Sequence, residues 1–366
     1  MYGGRRRHFP RGGSPGVVST LPPARPLVAP VERIAATLPL GDFRTERGGV
    51  VRDAQLHYRI LGDPALGERN GWILVLHALT GSAEVESWWE PLLGPGRALD
   101  TSRHPVLAAN LLGSCYGSSG PASDVTGAFP ALTSADLARA HIPLLEALGV
   151  RRLALVTGGS LGGMVALQWG LLTPVPVDRL VVFAAPARAT AQAIAWNAAQ
   201  RLAIEADQAW QGGRYPAGAG PRAGLAAARA IAMITYRSQV EFGARFDRNQ
   251  SRVPGRFDVE HYLRRHGEKL VERFDARSYV ALMHAMDSQD VGDLVRAGAH
   301  TARRVREVIG VGIDSDILYY PSEVRDWVER YREGGANARY AEIATPYGHD
   351  AFLIEFEQVE RVLRGS

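Results

Sequence analysis

Residues 153–163 read LALVTGGSLGG, and this stretch decides the fold. The apolar run at its start is typical of a buried strand, and an apolar helical pattern over residues 164–172 follows its last glycine. Between them lies a Gly-x-Ser-x-Gly turn, whose small residues permit the strained bend that presents a serine hydroxyl. A phosphate-binding loop is excluded because neither a third spaced glycine nor a Gly-Lys-Ser/Thr sequence is present. The stretch predicts a nucleophile at Ser160.

Short apolar runs on both sides of this turn predict the strands of a buried sheet. Each run is bounded by glycine, proline or polar residues. The predicted strands are residues 73–76, 106–110, 153–157, 180–184, 308–313 and 339–343. The predicted helices of this core cover residues 133–148, 322–332 and 351–363. The first of these helices begins with a capping box, Thr133 with Asp136, and stops at Gly149. This alternation predicts an α/β protein with a mostly parallel central sheet flanked by helices and, with the serine turn, the α/β-hydrolase fold.

The alternation lapses between residues 186 and 305, where Ala-rich and Arg-rich helical patterns such as 225–235 and 259–274 prevail. A length of 366 residues suits one core with a sizeable insertion. We therefore predict a helical cap (lid) at residues 186–305, inserted into a hydrolase core formed by residues 38–185 and 306–366.

The first 37 residues predict a disordered basic tail. They contain six prolines, five glycines and six arginines against one glutamate, with no apolar periodicity and no apolar segment of a secretory signal. The net charge of the chain is +4 and the tail accounts for +5 of it, which leaves about −1 for the folded body. The body therefore lacks the basic face of a nucleic-acid-binding protein.

Cysteine content and hydropathy bear on the location of the protein. Cys115 is the only cysteine, so an internal disulfide is excluded and a reducing compartment is favoured. No apolar run approaches the ~20 residues of a membrane span. We expect a soluble cytoplasmic protein with no nucleic-acid and no membrane partner.

A serine hydroxyl needs an imidazole base, and the imidazole needs a carboxylate that holds its tautomer. In this fold the carboxylate follows a late strand and the histidine lies near the C terminus. Asp316 follows the predicted strand 308–313, and His349 follows the last predicted strand. Asp314, two residues before Asp316, is the alternative carboxylate. The expected catalytic triad is Ser160, Asp316 and His349.

The loop at residues 77–81 follows the predicted strand 73–76 and matches in position the loop that supplies the second oxyanion donor. We expect the backbone N–H groups of Leu79 and Leu161 to form the oxyanion hole. We assign His77 a structural role in this loop and Cys115 a packing role. No metal is expected, because the histidines lack ligand spacing with a carboxylate.

Several further segments, together with these, resemble the homoserine O-acetyltransferases of methionine biosynthesis from about residue 38 to the C terminus. The segments are residues 77–81, Trp88-Trp89, 110–121, 158–163, 234–238, Phe274-Asp275, 285–287 and 347–352. The resemblance implies a ping-pong reaction in which acetyl-CoA acylates Ser160 and the hydroxyl of L-homoserine then takes the acetyl group. It implies no cofactor beyond acetyl-CoA as co-substrate, and a homodimer formed through the cap helices.

The resemblance also implies roles for two further residues, and their surroundings suggest two more. Arg229 matches the arginine that binds the substrate carboxylate, and Asp350 matches the carboxylate that receives the α-ammonium group. Tyr236, seven residues beyond Arg229 in the same predicted cap helix, is expected to contact the substrate with its hydroxyl. Relatives that use succinyl-CoA place an arginine two residues after the triad aspartate; Leu318 stands there and offers nothing to a succinyl carboxylate, which favours acetyl-CoA.

Two departures from the family pattern leave other substrates open. The sequence Tyr319-Tyr320-Pro321 stands where Pro or Phe-Pro is commoner, and Gly113-Ser114 stands where Gly-Gly is commoner. These departures leave room for a shifted acceptor, such as L-serine or another hydroxyl compound. Succinyl-CoA as donor is a separate alternative. A serine esterase or thioesterase would use the same triad with water, but a long cap that excludes water favours transfer. A catalytically inactive binding protein would be expected to lack a triad residue, and all three are present.

Overall fold

The computed structural model describes residues 33–123 and 128–365. Most of the predicted tail, residues 1–32, lies outside the described residues. The tail boundary at residue 37 is wrong, because the first strand already begins at Arg33. Residues 33–38 pair in continuous antiparallel register with residues 56–61, and alternate side chains such as Ile34 and Leu38 pack on the core. This period-two pattern was present in the sequence, among prolines and arginines that obscured it.

One sheet contains all eight strands of the described residues. The strands are β1 (Arg33–Arg44), β2 (Val50–Leu61), β3 (Trp72–Leu76), β4 (Val106–Ala109), β5 (Leu153–Gly159), β6 (Val177–Phe183), β7 (Val305–Ile313) and β8 (Ala338–Ile343). Their order is β1-β2-β4-β3-β5-β6-β7-β8. β1 pairs antiparallel with β2 and β2 antiparallel with β4, whereas every pair from β4 to β8 is parallel. The predicted mostly parallel sheet of the α/β-hydrolase fold is confirmed.

Twelve α-helices occur in the part of the chain that the structure describes. They are α1 (Leu66–Asn70), α2 (Ser134–Arg139), α3 (Ile142–Ala147), α4 (Leu161–Leu172), α5 (Ala191–Glu205), α6 (Arg222–Thr235), α7 (Gln239–Phe246), α8 (Asp258–Val271), α9 (Ala276–Asp287), α10 (Leu294–Thr301), α11 (Pro321–Glu333) and α12 (Phe356–Arg364). Short 3₁₀ helices cover Val85–Ser87, Glu90–Leu92, Pro121–Ser123, Gln208–Gly213 and Gly348–Leu353.

Two of the predicted helices differ from the observed ones. The predicted helix 133–148 keeps its capping box at Thr133 but divides into α2 and α3. Pro143 lacks the N–H that would bond the carbonyl of Arg139, so a continuous helix cannot form there. The predicted helix 351–363 likewise begins as a 3₁₀ turn and becomes α-helical only at Phe356.

Helices α5 to α10 fill the segment between β6 and β7, where the helical cap was predicted. The last of them, α10, packs instead against α4 and α11, which flank the sheet. A Cβ on Gly298 would lie 2.5 Å from the carbonyl oxygen of Tyr331, so only a glycine allows this close approach. The end of the segment 186–305 therefore contacts the core, and the division of the remainder into core and cap stays a prediction.

The central strands are buried on both faces of the sheet. All five residues of β3 are buried, and alternate residues of β5 pack into two separate apolar clusters. Trp169 and Trp327 lie in one cluster, and Trp89 lies in the other. This packing fixes the carboxyl ends of the parallel strands, where the candidate site lies. None of the described helices combines the length and apolarity needed to cross a membrane.

Candidate active site

Ser160 lies at the sharp turn between β5 and α4. Its backbone angles, φ 57° and ψ −123°, are sparsely populated by residues other than glycine, so the turn is strained. The Ser160 N–H donates to the carbonyl of Phe183 at 3.0 Å, which ties the turn to the end of β6. The bend expected of a nucleophile turn is thus present.

The glycines around Ser160 are required by the close approach of α4 to the sheet. A Cβ on Gly162 would lie 2.1 Å from the carbonyl oxygen of Leu76, at the end of β3. A Cβ on Gly158 would lie 2.6 Å from the carbonyl oxygen of Gly162. Because backbone atoms lie on both sides, no side-chain movement can relieve these contacts. The two glycines therefore allow the first turn of α4 to begin immediately after the serine.

His349 and Asp316 form a buried hydrogen-bonded pair. The Nδ1 of His349 lies 2.7 Å from Oδ2 of Asp316, and each residue is 2% exposed. The other carboxylate oxygen of Asp316 accepts from the backbone N–H groups of Leu318 at 2.8 Å and Tyr319 at 3.0 Å. The carboxylate is therefore held in the orientation that fixes the imidazole tautomer, with Nε2 left to accept a proton.

Asp314, the alternative carboxylate, accepts a hydrogen bond from the backbone instead. Its Oδ1 accepts from the N–H of Thr345 at 2.9 Å, in the loop that precedes His349. Asp316 rather than Asp314 contacts the histidine.

Burial and charge act in opposite directions on the pKa of His349. Burial lowers it, but the charge and hydrogen bond of Asp316, with the charge of Asp350, outweigh burial and raise the pKa above its usual 6.5. The Nε2 atom is buried and has no hydrogen-bond partner among the described residues. The rings of Tyr319 and Tyr236, at 5.2 and 5.6 Å, surround the imidazole. The site thus holds a base with an unused acceptor atom.

Ser160 and His349 make no hydrogen bond to each other within the described ranges. The loops that carry them do meet, because a Cβ on Gly159 would lie 2.5 Å from the ring of Phe352, whose centroid is 5.9 Å from the imidazole. The structure therefore brings Asp316 and His349 into direct contact, and the Ser160 turn against the same loop.

The loop at residues 77–81 is held by a neutral histidine. The Nδ1 of His77 lies 2.8 Å from the carbonyl oxygen of Ala78, and its Nε2 accepts from the N–H of Leu111 at 2.9 Å. Burial lowers the pKa of His77 to about 4, so it does not act as a cation at neutral pH. The N–H of Gly81 also donates to the carbonyl of Ala78, at 2.9 Å. His77 thus has the structural contacts predicted for it.

These bonds orient a candidate oxyanion donor. The carbonyl of Ala78 and the N–H of Leu79 belong to one planar trans peptide, so they point in opposite directions. With the carbonyl bonded inside the loop, the N–H is directed away from it. Neither Leu79 nor Leu161 uses its N–H in a hydrogen bond to any residue that the structure describes. Both groups are therefore available to an oxyanion.

A cavity of about 600 Å³ is lined by Ala78 and Thr80, the residues on either side of Leu79. Its lining includes Gly159 beside the serine, Phe352 from the histidine loop, and the arginines Arg59, Arg229 and Arg273. Arg59 is paired with Glu84 and Glu86, whereas neither Arg229 nor Arg273 forms an ion pair in the described part of the chain. Two uncompensated guanidinium groups make the cavity suitable for anionic ligands.

The predicted substrate residues lie around His349. The guanidinium of Arg229, on α6, lies over the ring of Tyr236 with 5.4 Å to its centroid. Tyr236 is buried, which raises its pKa, and its carbonyl accepts from the N–H of Asp350 at 3.2 Å. Leu318 is buried in the core, and its N–H is bonded to Asp316.

Arg237 was not predicted as a site residue. It forms an ion pair with Asp350 at 3.3 Å and another with Glu241 at 3.5 Å. In the sequence, only the position of Arg237 next to Tyr236 could have indicated that it belongs to the site. The second carboxylate oxygen of Asp350, Oδ1, has no hydrogen-bond partner among the residues described, so the ion pair leaves one oxygen for a ligand.

Cys115 is half-buried against the core, and its sulfur accepts from the N–H of Asp275 at 3.5 Å. Burial raises the pKa of this thiol, so it stays protonated at neutral pH. Within residues 33–123 and 128–365, no three His, Cys, Asp or Glu side chains are grouped so that they could hold a metal ion.

Comparisons with known proteins identify the family. A family profile described as the alpha/beta hydrolase fold matches residues 71–282. The homoserine O-acetyltransferase of Moorella thermoacetica is 44% identical, with 87% of this chain and 91% of the relative covered. The crystal structure of the Staphylococcus aureus homoserine O-acetyltransferase superposes with a TM-score of 0.74 at 28% identity, covering 91% of this chain and 95% of that one. Esterase E22 superposes with a TM-score of 0.81 at 20% identity, covering 92% and 99%, which supports the fold alone. The chain therefore belongs to the homoserine O-acetyltransferase family of the α/β-hydrolase fold.

Proposed function

We propose that this protein transfers an acetyl group from acetyl-CoA to the hydroxyl of L-homoserine, in methionine biosynthesis. The observation that carries the proposal is the buried Asp316–His349 pair, whose free Nε2 lies in the loop that packs against the Ser160 turn. The name of the Moorella thermoacetica relative, homoserine O-acetyltransferase, states acetyl transfer to an oxygen of homoserine.

In the first half-reaction, Ser160 Oγ attacks the thioester carbonyl and its proton passes to Nε2 of His349. The N–H groups of Leu79 and Leu161 stabilise the resulting oxyanion; one such donor is worth about 10²–10³-fold in kcat. When the tetrahedral intermediate collapses, the C–S bond breaks and the proton on His349 passes to the departing thiolate. CoA leaves, and Ser160 carries the acetyl ester.

In the second half-reaction, the hydroxyl of homoserine gives its proton to His349 and attacks the acetyl ester. The C–O bond to Ser160 breaks, and the proton returns from His349 to the serine oxygen. The products are O-acetylhomoserine and free enzyme. No cofactor is needed, because every proton and acyl transfer is balanced by these residues and the two substrates.

The acceptor is positioned by three residues near His349. Arg229 presents a planar guanidinium that suits a bidentate grip on the α-carboxylate. Asp350 receives the α-ammonium group on the oxygen that Arg237 does not occupy. Tyr236 supplies a hydroxyl contact. This arrangement recognises an α-amino acid with a side-chain hydroxyl, and homoserine is preferred over serine on the strength of the family.

The donor is acetyl-CoA rather than succinyl-CoA. Leu318 follows the triad aspartate by two residues, is apolar and is 5% exposed. A succinyl carboxylate placed there would lose its hydration without gaining a partner, which costs several kcal/mol. We further propose a cytoplasmic location and a homodimer; the single half-buried cysteine supports the former and the family resemblance supports the latter.

The proposal is tested by measuring free thiol released from acetyl-CoA and from succinyl-CoA. Each donor is assayed with homoserine, with serine and without an acceptor, using the protein and a Ser160→Ala control. Release that requires acetyl-CoA and homoserine together, and is lost in the control, is the expected result. Equal release without an acceptor would identify a thioesterase instead.

A further inference from the structure

Arg273 lies in the connection between α8 and α9 and contacts a loop of the core. Its Nη1 donates to the carbonyl oxygen of Thr80 at 2.7 Å, and its Nη2 to the Thr80 hydroxyl at 3.3 Å. Nη1 also donates to the Tyr116 hydroxyl at 2.8 Å. Thr80 directly follows Leu79, the proposed oxyanion donor. One side chain from the helical segment therefore binds both oxygens of the residue next to that donor.

The residues that follow Arg273 contact a second loop of the core. The ring of Phe274 meets the ring of Tyr116 edge-on, with 6.1 Å between centroids. The N–H of Asp275 donates to the sulfur of Cys115. Three consecutive residues of the helical segment are thus attached to the loops at residues 77–81 and 110–121. Thr80, Tyr116 and Arg273 also line the cavity, so this junction forms part of its wall.

The loop at residues 77–81 is held by hydrogen bonds from two sources, one within the core and one from the helical segment. Within the core, His77 and Gly81 bond the carbonyl of Ala78 and so orient the N–H of Leu79. From outside the core, Arg273 holds the carbonyl of the Thr80–Gly81 peptide and the Thr80 hydroxyl. Because a guanidinium keeps its donors in a rigid plane, it can hold the Thr80 carbonyl and hydroxyl together. Residues 77–81 form no helix or strand, so these hydrogen bonds take the place of regular backbone pairing.

We infer that Arg273 is a positioning residue. By binding Thr80 from the helical segment, it keeps the neighbouring Leu79 N–H directed at the oxyanion. This inference rests on the proposed acyl transfer. Loss of the arginine slows the steps that pass through an oxyanion, whichever thioester is used. It does not weaken binding of the acceptor, which contacts other residues.

The test compares Arg273→Gln, Arg273→Lys and Arg265→Gln. Arg265 is an exposed arginine of α8 whose side chain has no hydrogen bond or ion pair among the described residues, so it controls for the loss of charge. For each protein, kcat and the KM of homoserine are measured with acetyl-CoA and with S-acetylpantetheine, which lacks the nucleotide phosphates. The concentration of active sites is determined by covalent labelling of Ser160, and the melting temperature shows whether each variant is as stable as the unchanged protein.

The expected result is a kcat for Arg273→Gln that is about tenfold lower with both donors, below the ~10²-fold cost of losing an oxyanion donor outright. The KM of homoserine stays within about twofold, and Arg273→Lys recovers part of kcat because an ammonium can still donate to the Thr80 carbonyl. Arg265→Gln behaves like the unchanged protein.

Two results would overturn the inference. A loss seen with acetyl-CoA alone, through a raised KM of that donor, would mean that Arg273 binds the phosphates of CoA. Equal kcat values for the Arg273→Gln and Arg265→Gln proteins would mean that it has no part in catalysis. An unchanged protein that released no thiol from either donor would instead contradict the proposed function, so the two failures are distinguishable.

Discussion

Two buried histidines show how the neighbours of a residue, rather than burial alone, set its chemistry. His77 is surrounded by backbone partners, and burial lowers its pKa to about 4. His349 is equally buried, but its pKa is raised because Asp316 and Asp350 favour the charged form. The first imidazole is suited to hold a loop in one tautomer. The second is suited to exchange protons, as a general base must.

The raised pKa of His349 predicts the acid limb of the pH profile. Below this pKa the imidazole is protonated and cannot take the serine proton, so the acylation rate falls as the pH decreases. We expect the midpoint in the free enzyme to lie above 6.5, because that is the usual value from which the pKa is raised. Acylation by acetyl-CoA, measured across pH by thiol release in single turnovers, checks this.

The variant Asp350→Asn tests the cause of that shift. It removes one of the two carboxylates that favour the protonated imidazole, so the midpoint moves to lower pH. A midpoint that stayed in place, or a midpoint in the unchanged protein at or below 6.5, would contradict the assignment.

At the same scale, Arg229→Gln is expected to weaken acceptor binding. A charge-assisted hydrogen bond is worth about 1.5–3 kcal/mol, which corresponds to a rise in the KM of homoserine of about 10- to 150-fold. Thiol release from acetyl-CoA without an acceptor should be the same as in the unchanged protein, because that half-reaction does not use the α-carboxylate. Steady-state kinetics with and without homoserine separate the two. A KM equal to that of the unchanged protein would remove Arg229 from the acceptor site.

At the scale of elements, the site depends on how closely α4 approaches β3 and β5. Gly158 and Gly162 allow the helix backbone to touch the ends of both strands, and Ser160 is placed between them. The Gly-rich pattern in the sequence therefore reflects two requirements, a strained turn and close packing of helix on sheet. Of these, the packing requirement is the more severe at Gly162, where a Cβ would collide with two backbone carbonyls.

Gly162→Ala and Gly243→Ala form a matched pair for this element. At Gly162 the added Cβ overlaps the carbonyls of Leu76 and His77, so we expect a loss of about 1–3 kcal/mol in the free energy of unfolding. At Gly243, inside α7, no atom lies within 4 Å of the added Cβ, and alanine should stabilise by about 0.5–1 kcal/mol. Chemical denaturation of both variants measures the two values. Equal changes would show that close packing is not the cause.

At the scale of the whole molecule, β1 closes one end of the sheet. It pairs with β2 over its full length, and its inward side chains, including Ile34, Leu38 and Phe43, pack on the core. β2 pairs with β4 on one edge and with β1 on the other. Removing β1 would leave the backbone N–H and C=O groups of that second edge unpaired.

Two truncations test where the folded body begins. Removing residues 1–32 should leave the melting temperature and kcat unchanged, since β1 is retained. Removing residues 1–43 deletes nearly all of β1 and should lower the melting temperature by several degrees and promote aggregation through the exposed edge of β2. Thermal unfolding and light scattering compare the two. Equal stability would show that β1 does not support the sheet.

The sequence by itself determined the features that depend on neighbouring residues. The turn at Ser160, the parallel strands and the capping box at Thr133 each follow from local pattern, because backbone strain, side-chain period and helix capping act over a few residues. Pro143 could have predicted the break between α2 and α3 for the same reason. The position of Asp316 and His349 followed from the order of elements that the fold imposes.

Only the tertiary structure decided what depends on residues far apart in the chain. It assigned Asp316 rather than Asp314 to His349, placed α10 against α4 and α11, and joined Arg237 to Asp350 and Arg273 to Thr80. Each of these outcomes is a contact across many residues, and in an arginine-rich chain no local pattern distinguishes the arginine that finds such a partner from the many that face solvent. Long-range packing alone brings the two groups within hydrogen-bond distance.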